Sequence, residues 1–243
     1  MSSKAFARTL EVIRSLDRAR TPAEVCGTLL ESTRQFGAEY ILAGVIPMPG
    51  ASRQHQISSI VLDHWPKEWS HRYFSHGYVF QDPAIRTVRR SSAPFLWSEL
   101  KPLYREDAAG RRVMEEASDF RLRQGFTIPV ATLEGEVAGL SIAGERLELA
   151  PEDRGVLALL ATYSLGRSIL LRETAERETV RLTPREREAL QWAAEGESEW
   201  RIGERMGISE HGVDKHMRSA REKLGTRTRT HAVAEGIRLG LIK

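Results

Sequence analysis

The sequence predicts an α+β protein in two parts: an N-terminal α/β/α sandwich around an antiparallel sheet, then a C-terminal bundle of four helices containing a helix-turn-helix. Three observations predict it. The β-rich runs 38–46, 56–62, 126–132 and 137–144 are fenced by helical stretches on both sides. The run 173–181 is charged and lacks apolar periodicity, as a linker would. After it come four short amphipathic segments, most with a capping residue at the start and a glycine at the end. At 243 residues and 41% hydrophobic, the chain is long for one domain and comfortable for two, each with its own core. The expected division is 1–172, linker 173–181, and 182–243.

Each element has a local reason. Residues 4–16 and 22–36 read as amphipathic helices, the second opened by Thr21 as N-cap, Pro22 at N1 and Glu24 at N3. A Pro/Gly/Ser loop joins 38–46 to 56–62. The Trp-rich stretch 64–97 holds short helical segments around Asp82-Pro83, and 107–123 reads as a helix. Runs 126–132 and 137–144 meet across LEGE as a hairpin. A long helix begins at Pro151 and runs to about Thr174, with an apolar face of Val156, Leu159, Leu160, Tyr163 and Leu170.

In the C-terminal part, Thr183-Pro184-Arg185-Glu186 forms a capping box, and the helix it opens stops at Gly196. Ser198 caps a second helix ending at Gly207. Ser209 caps a third, 210–224, ending at Gly225, and a fourth occupies about 230–241. Val213, Met217, Ala220 and Leu224 lie at i, i+4, i+7 and i+11, one apolar stripe for burial. The opposite side carries Asp214, Lys215, Arg218 and Arg221. Lys and Arg donate to guanine O6 and N7, and Asp accepts from cytosine N4. Arg227, Arg229 and the Ser209 end of the helix are placed for phosphates. Charge agrees: residues 1–180 hold 23 basic and 23 acidic residues, whereas 211–243 hold eight basic against three acidic.

Other chemistries find no footing. Cys26 is the only cysteine, which excludes an intramolecular disulfide. The seven histidines form no metal-ligand spacing, so no metal is expected. There is no G-x-S-x-G, P-loop or G-x-G-x-x-G, so no enzyme activity is expected. The N-terminus has no apolar signal core and no stretch approaches eighteen apolar residues, so the expectation is a cytoplasmic protein without a membrane partner.

The remaining concentration is aromatic. Trp65, Trp69, Tyr73, Phe74, Tyr78 and Phe80 are six aromatics in sixteen residues of a chain that is 7% aromatic overall, with Phe95 and Trp97 beyond. Such density serves a plain core or an apolar pocket with a few polar handles. Asp82, set among these rings, argues for the pocket, because a buried carboxylate is costly without a donor.

Two resemblances follow from these residues. LTPREREALQWAAEGES…IGERMGIS…VDKHMRSAREKLG resembles the LuxR-type helix-turn-helix across 181–243, with Glu186, Leu190 and Gly196 at near-invariant positions. It implies that Asp214, Lys215 and Arg218 contact bases. This chain departs at Gly212, where the family has Thr or Ser, and at Asp214, where a basic or neutral residue is commoner. The pattern W-x3-Y-x8-DP-x13-W followed by G-x15-S, over roughly residues 5–170, resembles the autoinducer-binding domain of LuxR-type quorum-sensing receptors. It implies an N-acyl-homoserine lactone as ligand and no cofactor. Trp69 would donate to the lactone carbonyl and Asp82 would accept from the amide N–H. Tyr73 and Ser141 would flank the acyl carbonyl, Trp97 would pack over the lactone ring, and Ile85 would line the pocket. Gly125 matches a structural glycine. Trp65 stands where Tyr is common, implying a short, branched or aromatic acyl group. The implied partners are double-stranded promoter DNA, a second copy in a homodimer, and RNA polymerase.

Overall fold

The computed structural model describes residues 3–132 and 135–243. The chain divides into two compact units, Met1–Leu171 and Arg172–Lys243. In the first, α1 (Ser3–Arg18) and α2 (Pro22–Thr33) precede β1 (Tyr40–Val45), α3 (Arg53–Ser58) and β2 (Ile60–His64). Then come α4 (Lys67–Ser75), α5 (Pro83–Val88), β3 (Phe95–Leu96), α6 (Lys101–Tyr104), α7 (Ala108–Asp119), β4 (Gln124–Ala131), β5 (Val137–Gly144) and α8 (Pro151–Thr179). The sheet order is β2-β1-β5-β4-β3, and every pairing is antiparallel.

Strand alternation divides the unit into two cores. Ile41, Ala43, Phe126, Ile128, Leu140 and Ile142 point to one side and pack with Leu16, Val25 and Leu29 of the first two helices and Leu157, Leu160 and Leu165 of α8. Tyr40 and Ala143 point to the other, into a cluster built on α4, α5 and α7. Helices on both faces of an antiparallel sheet are the predicted sandwich.

Three expectations are corrected. Residues 56–58 are not strand: Ser52 accepts from the His55 amide at 3.2 Å and starts a helix that ends at Ser58, so β2 begins only at Ile60. The long helix does not end near Thr174, because α8 continues to Thr179 through most of the run read as a linker. The buried stripe of α8 also differs. Leu157, Leu160, Ala161, Ser164, Leu165 and Ser168 face the core, whereas Leu159 and Leu170 are each 53% exposed. Within Pro151–Ala175 an 18-residue window of this helix has a mean hydropathy of 1.2, long and apolar enough to match a membrane span by length and composition alone. The hairpin tip at 133–134 lies outside the described residues.

The second unit comprises α9 (Pro184–Ala194), α10 (Glu199–Met206), α11 (Glu210–Lys223) and α12 (Arg229–Arg238). Thr183, Ser198, Ser209 and Thr228 cap them by accepting backbone amides. Gly207, at φ +65°, provides the left-handed residue of the tight turn between α10 and α11. Val213, Met217, Ala220 and Leu224 are all buried, as the stripe predicts. Glu186 anchors α9 to α11 while 96% buried. It accepts from the Thr183 amide at 2.7 Å, from Ser219 Oγ at 2.7 Å, and from Lys223 Nζ at 2.7 and 2.8 Å. Burial pushes this carboxyl up, but Lys223 and the other donors outweigh it and hold the pKa at about 2.

Candidate functional site

The N-terminal site is assembled by α4, α5 and two neighbouring strands. In α4, Trp69 and Tyr73 stand at i and i+4 on one helical face, and Trp65 lies two residues before the helix begins. Trp65 meets Tyr73 edge-on at 5.2 Å, Trp69 meets Tyr73 at 5.7 Å, and Trp65 and Trp69 are 6.3 Å apart. Trp69 and Tyr73 are buried, and Trp65 is half-buried with its indole nitrogen enclosed and without a hydrogen-bond partner among the described residues. Pro83 follows Asp82 at N1 of α5, so Asp82 is the N-cap and its Oδ1 accepts from the Ala84 amide at 2.7 Å. Its other oxygen accepts from the Tyr73 hydroxyl at 2.8 Å. Burial pushes the Asp82 carboxyl above its ordinary value, opposed by these donors and by Arg86. Burial, reinforced by the adjacent carboxylate, raises the Tyr73 hydroxyl as well. Ile85 packs at the edge of the same cluster.

Trp97 and Ser141 approach from the sheet. By alternation, Gly125, Thr127, Gly139 and Ser141 lie on the face opposite Phe126, Ile128, Leu140 and Ile142. The Trp97 ring lies directly over Gly125, where a Cβ would come within 2.3 Å of the indole. Gly125 is thus required by close approach. The Trp97 indole donates to Thr127 Oγ1 at 2.9 Å, and Thr127 Oγ1 lies 2.8 Å from Ser141 Oγ. Sequence reasoning missed Thr127, although a lone hydroxyl between Phe126 and Ile128, in register with Ser141, signals it. It also missed Phe120, whose ring lies 5.5 Å from Trp69. The structure gathers Trp65, Trp69, Tyr73, Asp82, Ile85, Trp97 and Ser141 on one side of the sheet. An open groove of about 1210 Å³ lies on the other side, between α1, α2 and α8. It is rimmed by Arg8, Glu11, Glu31 and Asp153 and has no buried carboxylate and no Trp or Tyr.

The second site is α11. Lys215 and Arg218 are exposed, and Asp214 is half-exposed. Arg218 donates to Asp214 at 2.7 Å, an i,i+4 pair on the surface. Ser209 Oγ accepts from the Gly212 amide at 3.2 Å. Arg227 is exposed, and its carbonyl accepts from Arg221 at 3.4 Å. Arg229 reaches back to the Glu197 carbonyl, tying the start of α12 to the chain beyond α9. Among the described residues no group of three or more His, Cys, Asp and Glu side chains is arranged to hold a metal ion.

Comparison with known proteins matches both parts of the chain. Residues 21–167 match the autoinducer binding domain, and residues 180–235 match the bacterial regulatory proteins of the luxR family. The chain is 35% identical over 243 residues to the transcriptional activator protein BjaR1 of Bradyrhizobium diazoefficiens, covering 100% of this chain and 99% of that protein. It is 35% identical over 238 residues to the regulator RpaR of Rhodopseudomonas palustris, covering 97% and 95%. The crystal structure of Escherichia coli SdiA shares the fold, with a TM-score of 0.68 at 20% identity over 97% of this chain and 98% of that one. Autoinducer domain, helix-turn-helix and full-length relatives agree: the chain belongs to the LuxR family, as an autoinducer-binding transcriptional regulator.

Proposed function

We propose that this regulator binds an N-acyl-homoserine lactone with a short, branched or aromatic acyl group, and acts as a homodimer on a two-fold-symmetric promoter site. The carrying observation is Asp82, a half-buried carboxylate at the aromatic cluster that accepts from the Tyr73 hydroxyl and the Ala84 amide. Two oxygens offer about four acceptor positions, and Tyr73 with the Ala84 and Ile85 amides uses at most three, so acceptor capacity remains for a ligand N–H. The lactone has that N–H, two carbonyl acceptors and an apolar tail. Trp69 donates to the lactone carbonyl, Tyr73 and Ser141 flank the acyl carbonyl, Trp97 packs over the ring and Ile85 lines the pocket. Trp65 adds bulk where the acyl group enters, which favours compact chains. RpaR, at 35% identity, is described as quorum sensing-dependent, and that supports the same role here.

The exposed Leu159 and Leu170 on α8 supply an apolar face for a second copy. Dimer symmetry is then mirrored in the operator. Asp214, Lys215 and Arg218 read bases, while Ser209, Arg221, Arg227 and Arg229 hold phosphates. The complex works in the cytoplasm with RNA polymerase. A ligand at 100 times its Kd that binds only the folded form contributes about 2.7 kcal/mol.

A thermal-shift panel tests this, with N-butanoyl-, N-isobutanoyl- and N-phenylacetyl-homoserine lactone as probes. Octanoyl-rac-glycerol, which SdiA binds in a solved structure, is the non-lactone control. The expected result is a rise in Tm with lactones, lost in Asp82→Asn and reduced in Trp69→Phe while both variants keep the wild-type circular dichroism. No rise with any lactone favours a constitutive regulator or a non-lactone metabolite.

A further inference from the structure

We infer that Thr127 is a positioning residue for the ligand: it passes the fixed orientation of the Trp97 indole on to Ser141, so that the Ser141 hydroxyl is presented as a donor. The inference rests on the reading of Ser141 as ligand-facing. It begins from donor counting. An indole N–H can only donate, so in the 2.9 Å contact Thr127 Oγ1 is the acceptor. Thr127 is 2% exposed, and among the described residues its hydroxyl has only Trp97 and Ser141 as partners. If Ser141 donated to Thr127, the Thr127 proton would be buried without an acceptor, the costly arrangement. Thr127 therefore donates to Ser141 Oγ across 2.8 Å. Ser141 is half-buried and its own proton is left free to point away from Thr127.

The frame holding this relay is rigid. Thr127 and Ser141 are opposed in the β4–β5 register, and Trp97 is seated over Gly125 two residues along the same strand face. One end of the relay is thus fixed by packing and the other is a hydroxyl with a set direction. On the same side of the sheet, Tyr73 directs its proton to Asp82 and is committed as a donor there. Ser141 is consequently the hydroxyl of this pair with a proton to give to a carbonyl oxygen. The ligand class that fits is an amide, its N–H taken by Asp82 and its carbonyl held by Ser141.

A double-mutant cycle on the full chain tests the inference, using the three lactones above and calorimetry. Ser141→Ala and Thr127→Val are each expected to weaken binding about tenfold, the loss of one oriented hydrogen bond. The double variant should bind no worse than Ser141→Ala, and Thr127→Ser should bind like wild type. A Thr127→Val variant with unchanged affinity, or a double variant weakened about a hundredfold, would overturn the relay. A ligand-free arm separates this from the choice of ligand. Ser141→Ala should lower Tm by orphaning the Thr127 proton, Thr127→Val by orphaning the Trp97 N–H, and the double variant should lose less than the sum of the two. If the losses simply add, Thr127 does not donate to Ser141, whatever the ligand is. If the cycle couples but no lactone binds wild type, the relay stands and the lactone reading falls.

Discussion

Replacing Lys223 by Met tests the joint between α9 and α11. Glu186 is 96% buried, and its pKa lies at about 2 against an ordinary 4.5. A shift of that size corresponds to about 3 kcal/mol of preference for the charged form. Lys223 carries much of it, but its side chain is 37% exposed, so solvent screening reduces its share to about 2 kcal/mol. Lys223→Met keeps the length of the side chain and leaves Glu186 with only Ser219 and the Thr183 amide as donors. The expected penalty at pH 7 is therefore about 2 kcal/mol, a fall of roughly thirtyfold in the amide protection of α9 and α11.

The pH dependence gives a second, independent check. A carboxyl with a depressed folded pKa stabilises the fold fully above its unfolded value of 4.5, and the contribution is lost as pH falls toward about 2. Without Lys223 the folded pKa rises, so the variant has less to lose on acidification. The gap between wild type and variant should be widest near pH 7 and narrow below pH 4.5. Native-state hydrogen exchange on the full chain, corrected for intrinsic rates, reads both effects. Protection within twofold of wild type at pH 7, or a gap that widens on acidification, would refute the assignment of Glu186 as a charged hub.

Three further outcomes are expected. Gly125→Ala drives a Cβ to 2.3 Å from the Trp97 ring, so the indole must shift and its bond to Thr127 breaks. The cost is about 1–3 kcal/mol, read as a lower Tm with altered tryptophan fluorescence. Gly212→Ala places a methyl 3.4 Å from Ile208, an ordinary contact, in the first turn of α11. It should stabilise that helix by up to ~1 kcal/mol, visible as increased exchange protection. Arg227→Ala should weaken DNA binding equally for specific and random duplexes and reduce the slope of log K against log salt by about 1, measured by fluorescence anisotropy. A change in base preference would move Arg227 from phosphate contact to readout.

The parts of this molecule legible in the sequence are those whose cause is local. A capping box needs only residues i and i+3, so the starts of α9, α10 and α11 could be placed from Thr183, Ser198 and Ser209. The buried stripe of α11 needs only the period of one helix. The short helix around Asp82-Pro83 was legible for the same reason, since Asp82 is its N-cap and Pro83 its N1 residue. What sequence spacing did not reveal depends on partners far along the chain. Residues 56–58 are the exception, since their strand-like composition masks a local cause, the Ser52 cap that starts the helix. The exposed Leu159 and Leu170 fit an apolar stripe as well as the buried Leu157 and Leu165 do, because periodicity cannot say which side of α8 the sheet takes. Glu186 is recognisable as half of a capping box, yet its two further donors come from residues 33 and 37 positions away. Thr127 shows the same limit within the site itself. Its meaning lies in two contacts across 14 and 30 residues, and neither exists until the β4–β5 register and the Gly125 gap bring Ser141 and Trp97 to it. Residue type and spacing can nominate candidates for touching a ligand. The residues that aim them are set by the sheet, and only the folded register discloses them.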